Sequence, residues 1–235
     1  MKQVFVGMIL VFTSSIFAQA DSIAWKQYAQ GGMANSYSLS GGFGYYRLNR
    51  QTEKTFRDLR LFAYGLKKDS FIYLRYKSSD KYATRPQFYR YTITSYRKNT
   101  RANVALQYHF NQGFGLFINQ YENGLINAEL GHAFDMSDYL NETRKTSYIK
   151  TGAFWDHDIN RISTKLELEY FKQISEVVEN DLSRIQYMLE VIFPIKAGLS
   201  FNMNYEMEDY MNKSLTDASS LTLAIGWHGN LKWTF

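Results

Sequence analysis

The sequence predicts an all-β fold, a closed antiparallel up-and-down transmembrane β-barrel of about 12 strands behind an export signal. Three observations predict it. Apolar and polar residues alternate with period two along most of the chain. After the first twenty residues no apolar run approaches the ~18 positions that a membrane-spanning helix needs. The composition holds 19 Tyr and 17 Phe, residues favoured in strands and at membrane interfaces, but no Cys. The chain has 235 residues with 45% apolar, enough for one domain. Its mean hydropathy is nevertheless below zero.

The chain opens with Lys2, an apolar run from Val4 to Phe12 and a small-x-small site at Ala18-Gln19-Ala20, so residues 1–20 read as a secretory signal peptide. The mature barrel is expected over residues 21–235, outside the cytoplasm. With no Cys after the cleavage site, lipid attachment and disulfides are excluded.

Strands are expected near 33–46, 56–66, 70–77, 88–96, 101–110, 114–122, 125–134, 146–155, 161–170, 184–193, 199–208 and 221–235. The last is the clearest. Leu221, Leu223, Ile225, Trp227, Leu231, Trp233 and Phe235 alternate with Thr222, Ala224, Gly226, His228, Asn230, Lys232 and Thr234. Residues 199–208 set Leu199, Phe201, Met203, Tyr205 and Met207 against Ser200, Asn202, Asn204, Glu206 and Glu208. A helix does not generate that period. In 56–66 and 70–77 both faces carry large apolar groups, which blurs the N-terminal third.

Short connections are expected at 67–69, 97–99, 122–124, 156–160 and 194–198, where Asn123-Gly124 is a strong hairpin signal. Longer ones are expected at 47–55, 77–87, 135–145, 172–181 and 209–219, and a short one at 111–113 interrupts that series. Short turns at one end and longer loops at the other are the habit of outer-membrane barrels.

Period two alone is symmetric between a soluble secreted ligand-binding barrel with its apolar face inward and a membrane barrel with it outward. The interior of about twelve strands is too wide to fill with hydrocarbon, and the polar faces carry charges of both signs. Both points favour the membrane barrel.

The closing pattern of Trp227, Leu231, Trp233 and Phe235 resembles the last strand of bacterial outer-membrane proteins. That resemblance implies recognition by the barrel-assembly machinery, outer-membrane lipids as surroundings and a Gram-negative outer membrane as location. The stretch Thr216-Asp217-Ala218-Ser219-Ser220-Leu221-Thr222-Leu223-Ala224-Ile225-Gly226 is similar to the salt-induced outer-membrane protein family, and YaiO-like barrels are a second resemblance. Neither implies particular functional residues.

No catalytic, cofactor or metal site is expected. His132 shares a face with Ser147 on the next expected strand, which leaves a lipid hydrolase as the enzymatic alternative, but no acid stands beside them to orient the His. Asp156-His157-Asp158 reads as turn chemistry, because neighbours in a strand point to opposite faces and do not converge on one ion. The aromatics of Tyr45-Tyr46 and Tyr89-Arg90-Tyr91 read as interfacial belts.

Charge is unevenly divided. Residues 21–120 carry 16 Lys+Arg against 5 Asp+Glu, and residues 121–235 carry 10 against 17. No block of five like charges occurs, so nucleic-acid binding is not expected. Inward faces are expected to carry Arg60, Arg75, Arg90 and Arg101 on one wall, and Glu167, Glu169, Glu190, Glu206 and Glu208 on the opposite wall, with Lys165 and Arg184 among the acids. Opposed walls favour small polar solutes in a narrow passive channel. Ion-pair ladders among the same residues would instead plug a structural barrel.

Overall fold

A computed structural model describes residues 25–36, 39–66, 69–99, 104–139, 142–175, 181–214 and 217–231. The expected signal peptide at residues 1–20, Arg101, Trp233 and Phe235 lie outside the described residues, and Trp227 and Leu231 within them. Twelve antiparallel strands run in order: β1 (Trp25–Ser36), β2 (Leu39–Gln51), β3 (Thr55–Leu66), β4 (Asp69–Lys81), β5 (Phe88–Asn99), β6 (Val104–Tyr121), β7 (Gly124–Tyr139), β8 (Glu142–Ile159), β9 (Ile162–Gln173), β10 (Arg184–Lys196), β11 (Leu199–Tyr210) and β12 (Ala218–Leu231). Each pairs with its chain neighbours, and β12 closes on β1 from Trp25 opposite Leu231 to Asn35 opposite Leu221. Closure satisfies the backbone donors and acceptors that a lipid surface cannot.

The strand number agrees with the sequence expectation through two compensating differences. Residues 33–46 are not one strand but the end of β1 and the start of β2. Residues 101–122 are not two strands but β6 alone, which runs straight through Asn111, Gln112 and Gly113. Gly113 and Gly115 are there for space: a Cβ on Gly115 would lie 2.0 Å from the Tyr89 ring.

Removing the connection at 111–113 changes which loops share a rim. Strands β2 and β3, β4 and β5, β6 and β7, β8 and β9, and β10 and β11 follow one another at the rim that holds Trp25 and Leu231; β1 and β2, β3 and β4, β5 and β6, β7 and β8, β9 and β10, and β11 and β12 do so at the other. Several expected loops are strand ends. Within the segment 135–145, β7 continues to Tyr139 and β8 begins at Glu142, and Asp156-His157-Asp158 belongs to β8 rather than to a turn. Polar strand ends read as loop because apolar alternation stops where the lipid stops, while the hydrogen-bonded ladder continues. Turn chemistry appears at Asn160, Ala197 and Gly198, at φ of 57°, 51° and 79°. Beside Gly198 the backbone of β12 approaches so closely that a Cβ would meet His228 O at 2.6 Å.

Facing direction follows from burial. Leu61, Ile72, Leu74, Leu130, Ile149, Leu166, Leu168, Leu223 and Ile225 are exposed on the outer surface, whereas Asp58, Asn111, Glu129, Lys150, Asn202 and Thr222 are buried inside. The apolar face points out. An apolar-in soluble barrel is therefore not what the chain forms. At one rim Trp155 donates Nε1–H to Tyr121 Oη at 2.8 Å and stacks on His157, an amphipathic group suited to the membrane interface.

Aromatics also fill the interior, which the belt reading of the sequence missed. Tyr89 and Tyr91 are buried in the lumen. Phe43, Phe62, Tyr64 and Phe71 form a chain of ring contacts across β2, β3 and β4. Tyr148 and Phe171 make another on β8 and β9. A wide barrel is thus partly packed by large rings rather than left void.

Candidate functional site: the charged lumen

Strand periodicity places Arg47, Arg60 and Arg75 directly opposite one another on β2, β3 and β4. Three like charges in a row repel. Asp58, one pleat away from Arg60 on the same face, resolves this: Arg47 Nε lies 2.5 Å from Asp58 Oδ1, Arg60 Nε 2.6 Å from Oδ2 and Arg75 Nη1 3.8 Å from Oδ2. The Asp58 side chain is wholly buried. One carboxylate against three guanidinium groups leaves this wall basic.

A second web crosses from β4 to β9. Lys77 Nζ lies 2.6 Å from Glu129 Oε1, Lys150 Nζ 2.7 Å from Glu129 Oε2 and 2.6 Å from Glu169 Oε1. Tyr89 donates its hydroxyl to Glu129 Oε1 at 3.0 Å, and accepts from Asn127 Nδ2 at 2.7 Å. Both ammonium groups also lie over the rings of Tyr91 and Phe154, at 5.1 to 5.5 Å from the centroids. Glu129 and Lys150 side chains are 0% exposed. Because β4 and β7 are not neighbours in the sheet, the Lys77–Glu129 bond spans lumen space rather than following a ladder.

In the third web Arg184 on β10 lies between the rings of Tyr148 and Phe171, at 4.9 and 4.7 Å. Its Nη2 is 3.2 Å from Asp135 Oδ2 and its Nε 3.0 Å from Glu208 Oε1. His109 Nδ1 meets the other oxygen of Asp135. A cavity of about 110 Å³ lies beside this web, lined among others by Arg75, Arg97, His109, Asn111, Glu169 and Arg184.

Most of the sequence-predicted lumen residues take inward positions, but not as two free walls. Glu169 is spent on Lys150 and Glu208 on Arg184. Glu167 is 2.5 Å from Lys165, and Glu190 stands opposite Lys165 in the ladder. Glu206 accepts from Asn204 at 2.9 Å.

Arg90 is the correction. It pairs opposite Asp80 and Phe114 on the outer surface, and its side chain is 69% exposed. On β5 the polarity is inverted: Tyr89, Tyr91 and Ile93 face the lumen, and Arg90, Thr92 and Thr94 face out. The assumption that the more apolar face always meets lipid assigns this strand backwards. His132 and Ser147 both face outward, but His132 stands opposite Ile149 and Ser147 opposite Phe134.

Sequence reasoning missed Arg47, Asp58, Lys77, His109, Glu129, Asp135 and Lys150 as a set. Their parity within each strand was available, but which charges meet depends on registers and on strands that are distant in sequence.

No family model matches the chain, and no curated protein matches it. Solved structures do. A NanC porin superimposes with a TM-score of 0.55 at 7% identity, over 86% of this chain and 98% of the other. An outer-membrane channel from Pseudomonas putida F1 gives 0.51 at 9%, over 91% and 98%. A KdgM porin in complex with disordered oligogalacturonate gives 0.50 at 10%, over 86% and 98%. At these identities the likeness is one of architecture, and the chain has the fold of outer-membrane β-barrel porins and channels.

Proposed function

We propose that this protein is an exported outer-membrane barrel, non-enzymatic, that serves as a narrow passive channel for small polar solutes and is constricted at mid-lumen by buried ion pairs. The observation that carries the proposal is the Lys77–Glu129–Lys150–Glu169 web, a polar path wall that bridges non-adjacent strands. A lumen lined with charge serves water and solutes, and links that cross it limit their size. The outward apolar band supports a lipid setting. Signal-peptide removal near Ala20 and folding by the barrel-assembly machinery, read through Trp227, Leu231, Trp233 and Phe235, belong to the same proposal. So does freedom from cofactor and metal.

Complete burial of Glu129 and Lys150 favours a second reading, a structural barrel that stays shut. Planar bilayers separate the two. The channel reading expects small conductance steps from the native barrel and larger ones from Glu129→Ala. If both stay silent at loads where a control porin conducts, the barrel is structural. A gel run before either test checks the membrane barrel itself, which migrates faster unheated than boiled.

A further inference from the structure

The outer surface carries a second group of charges that the channel does not use. Arg50 is next to last in β2, Arg57 third in β3, Asp80 next to last in β4 and Arg90 third in β5, so all four sit at the rim that holds Trp25 and Leu231. Arg50 and Arg57 face each other directly across β2 and β3. Like charges so placed repel, and among the described strand residues here Asp80 is the outward carboxylate that offsets them. Arg57 Nη2 is 2.7 Å from Asp80 Oδ1, its Nη1 donates to the carbonyls of Phe56 and Ser79, both at 2.9 Å, and Arg90 Nη2 is 3.4 Å from Asp80 Oδ2. Arg50 Nε is buried and has no hydrogen-bond partner. The adjoining turns add Lys54 and Arg85 against Glu53, so cations exceed acids.

Immediately beside the cluster the surface becomes apolar. Leu59 and Tyr76, one pleat further in, are exposed, and Phe114, opposite Arg90, stacks with Tyr82 at 6.5 Å. Guanidinium groups at the margin of an apolar band lie at the depth of lipid headgroups. We infer that Arg50, Arg57 and Arg90 form a clamp for the phosphate of an anionic glycerophospholipid, with its acyl chains along Leu59, Tyr76 and Phe114. Guanidinium forks match phosphate oxygens in pairs, and a phosphate between Arg50 and Arg57 turns their repulsion into attraction. The two longest intervals between strands, from β9 to β10 and from β11 to β12, open from strand ends at the opposite rim, so the clamp faces the short-turn, periplasmic leaflet. This inference rests on the membrane reading above.

The test uses the mature barrel folded in detergent micelles containing equal dioleoyl-phosphatidylglycerol and dioleoyl-phosphatidylcholine, with retained lipid read by native mass spectrometry. The native protein is expected to retain phosphatidylglycerol about tenfold over phosphatidylcholine. Arg50→Gln with Arg57→Gln should bring the ratio near one. Arg90→Glu, at a side chain exposed enough that folding tolerates it, should lower the ratio several-fold. Equal retention by the native protein, or a ratio unchanged in both variants, overturns the clamp while leaving the barrel intact. Full displacement of phosphatidylglycerol by about 10 mM inorganic phosphate, a concentration above the dissociation constant of a millimolar ion site, shows a free-ion site and overturns the lipid assignment. Failure to insert into vesicles overturns the membrane reading and the clamp together.

Discussion

Replacing Glu129 by Gln tests whether the lumen web holds the barrel together. Glu129 is wholly buried and serves three donors, Lys77 at 2.6 Å, Lys150 at 2.7 Å and the Tyr89 hydroxyl at 3.0 Å. Lys150 keeps Glu169, but Lys77 loses its carboxylate and retains only the Tyr91 and Phe154 rings. Breaking a buried pair on one side costs about 3–5 kcal/mol. The glutamine oxygen recovers about 1 kcal/mol as a neutral acceptor, while the ring contacts are present before and after the change and cancel. The net loss is then about 3 kcal/mol, which moves a urea midpoint by about 1.5 M at a slope near 2 kcal/mol/M. Urea unfolding of the barrel in lipid vesicles, followed by tryptophan fluorescence, reads that shift. Lys77→Met in the Glu129→Gln background should recover part of it, because the uncompensated cation is gone. If the two substitutions add within about 0.5 kcal/mol, the pair is not coupled and the web is not what stabilises the lumen.

Three further outcomes follow from the geometry. In a conducting barrel Arg75→Glu should shift ion selectivity toward cations, whereas Arg90→Glu, on the outer surface, should leave it unchanged; reversal potentials in a salt gradient distinguish them. Gly115→Val drives a side chain into the Tyr89 ring and should cost about 1–3 kcal/mol or abolish folding, while Gly44→Ala, with open space around its Cβ, should unfold like the native protein. Asp181, between β9 and β10, is held below the usual carboxylate range mainly by the Ser183 hydroxyl and backbone N–H, helped by Lys172. Its contribution is present above the carboxylate's unfolded value and lost as pH falls through its lower folded one. The protection of the Ser183 amide, its exchange rate compared with that of an unstructured peptide at the same pH, should therefore fall on acidification below about pH 4, and Asp181→Asn should remove that pH dependence.

The clear strands near the C-terminus were legible because each has one lipid face and one wet face, and the register of β12 against β1 preserves the parity read from Leu221 to Leu231. Where both faces are large and apolar the pattern fails, as in β3, where Phe62 and Tyr64 pack inside and Leu59 and Leu61 face out. At β5 it inverts outright, and Arg90 was assigned to the wrong side. The expected strand count held only because merging β1 with β2 offset the splitting of β6. The short connection at 111–113, out of place among long ones, was the visible sign of that error.

By itself the sequence determined an all-β chain of alternating faces, because a period of two is a local property of extended backbone and survives without any knowledge of neighbours. It also determined that charge inside such a chain would be mixed in sign. Tertiary structure alone decided which charges meet: Lys77 with Glu129 across three strand steps, Arg184 with Asp135, and three arginines around Asp58. Those contacts depend on closure and stagger of the whole sheet, and the farthest of them joins residues 52 positions apart. The basic and acidic halves of the chain became interlocking webs, since buried charges at this distance are stable only when paired.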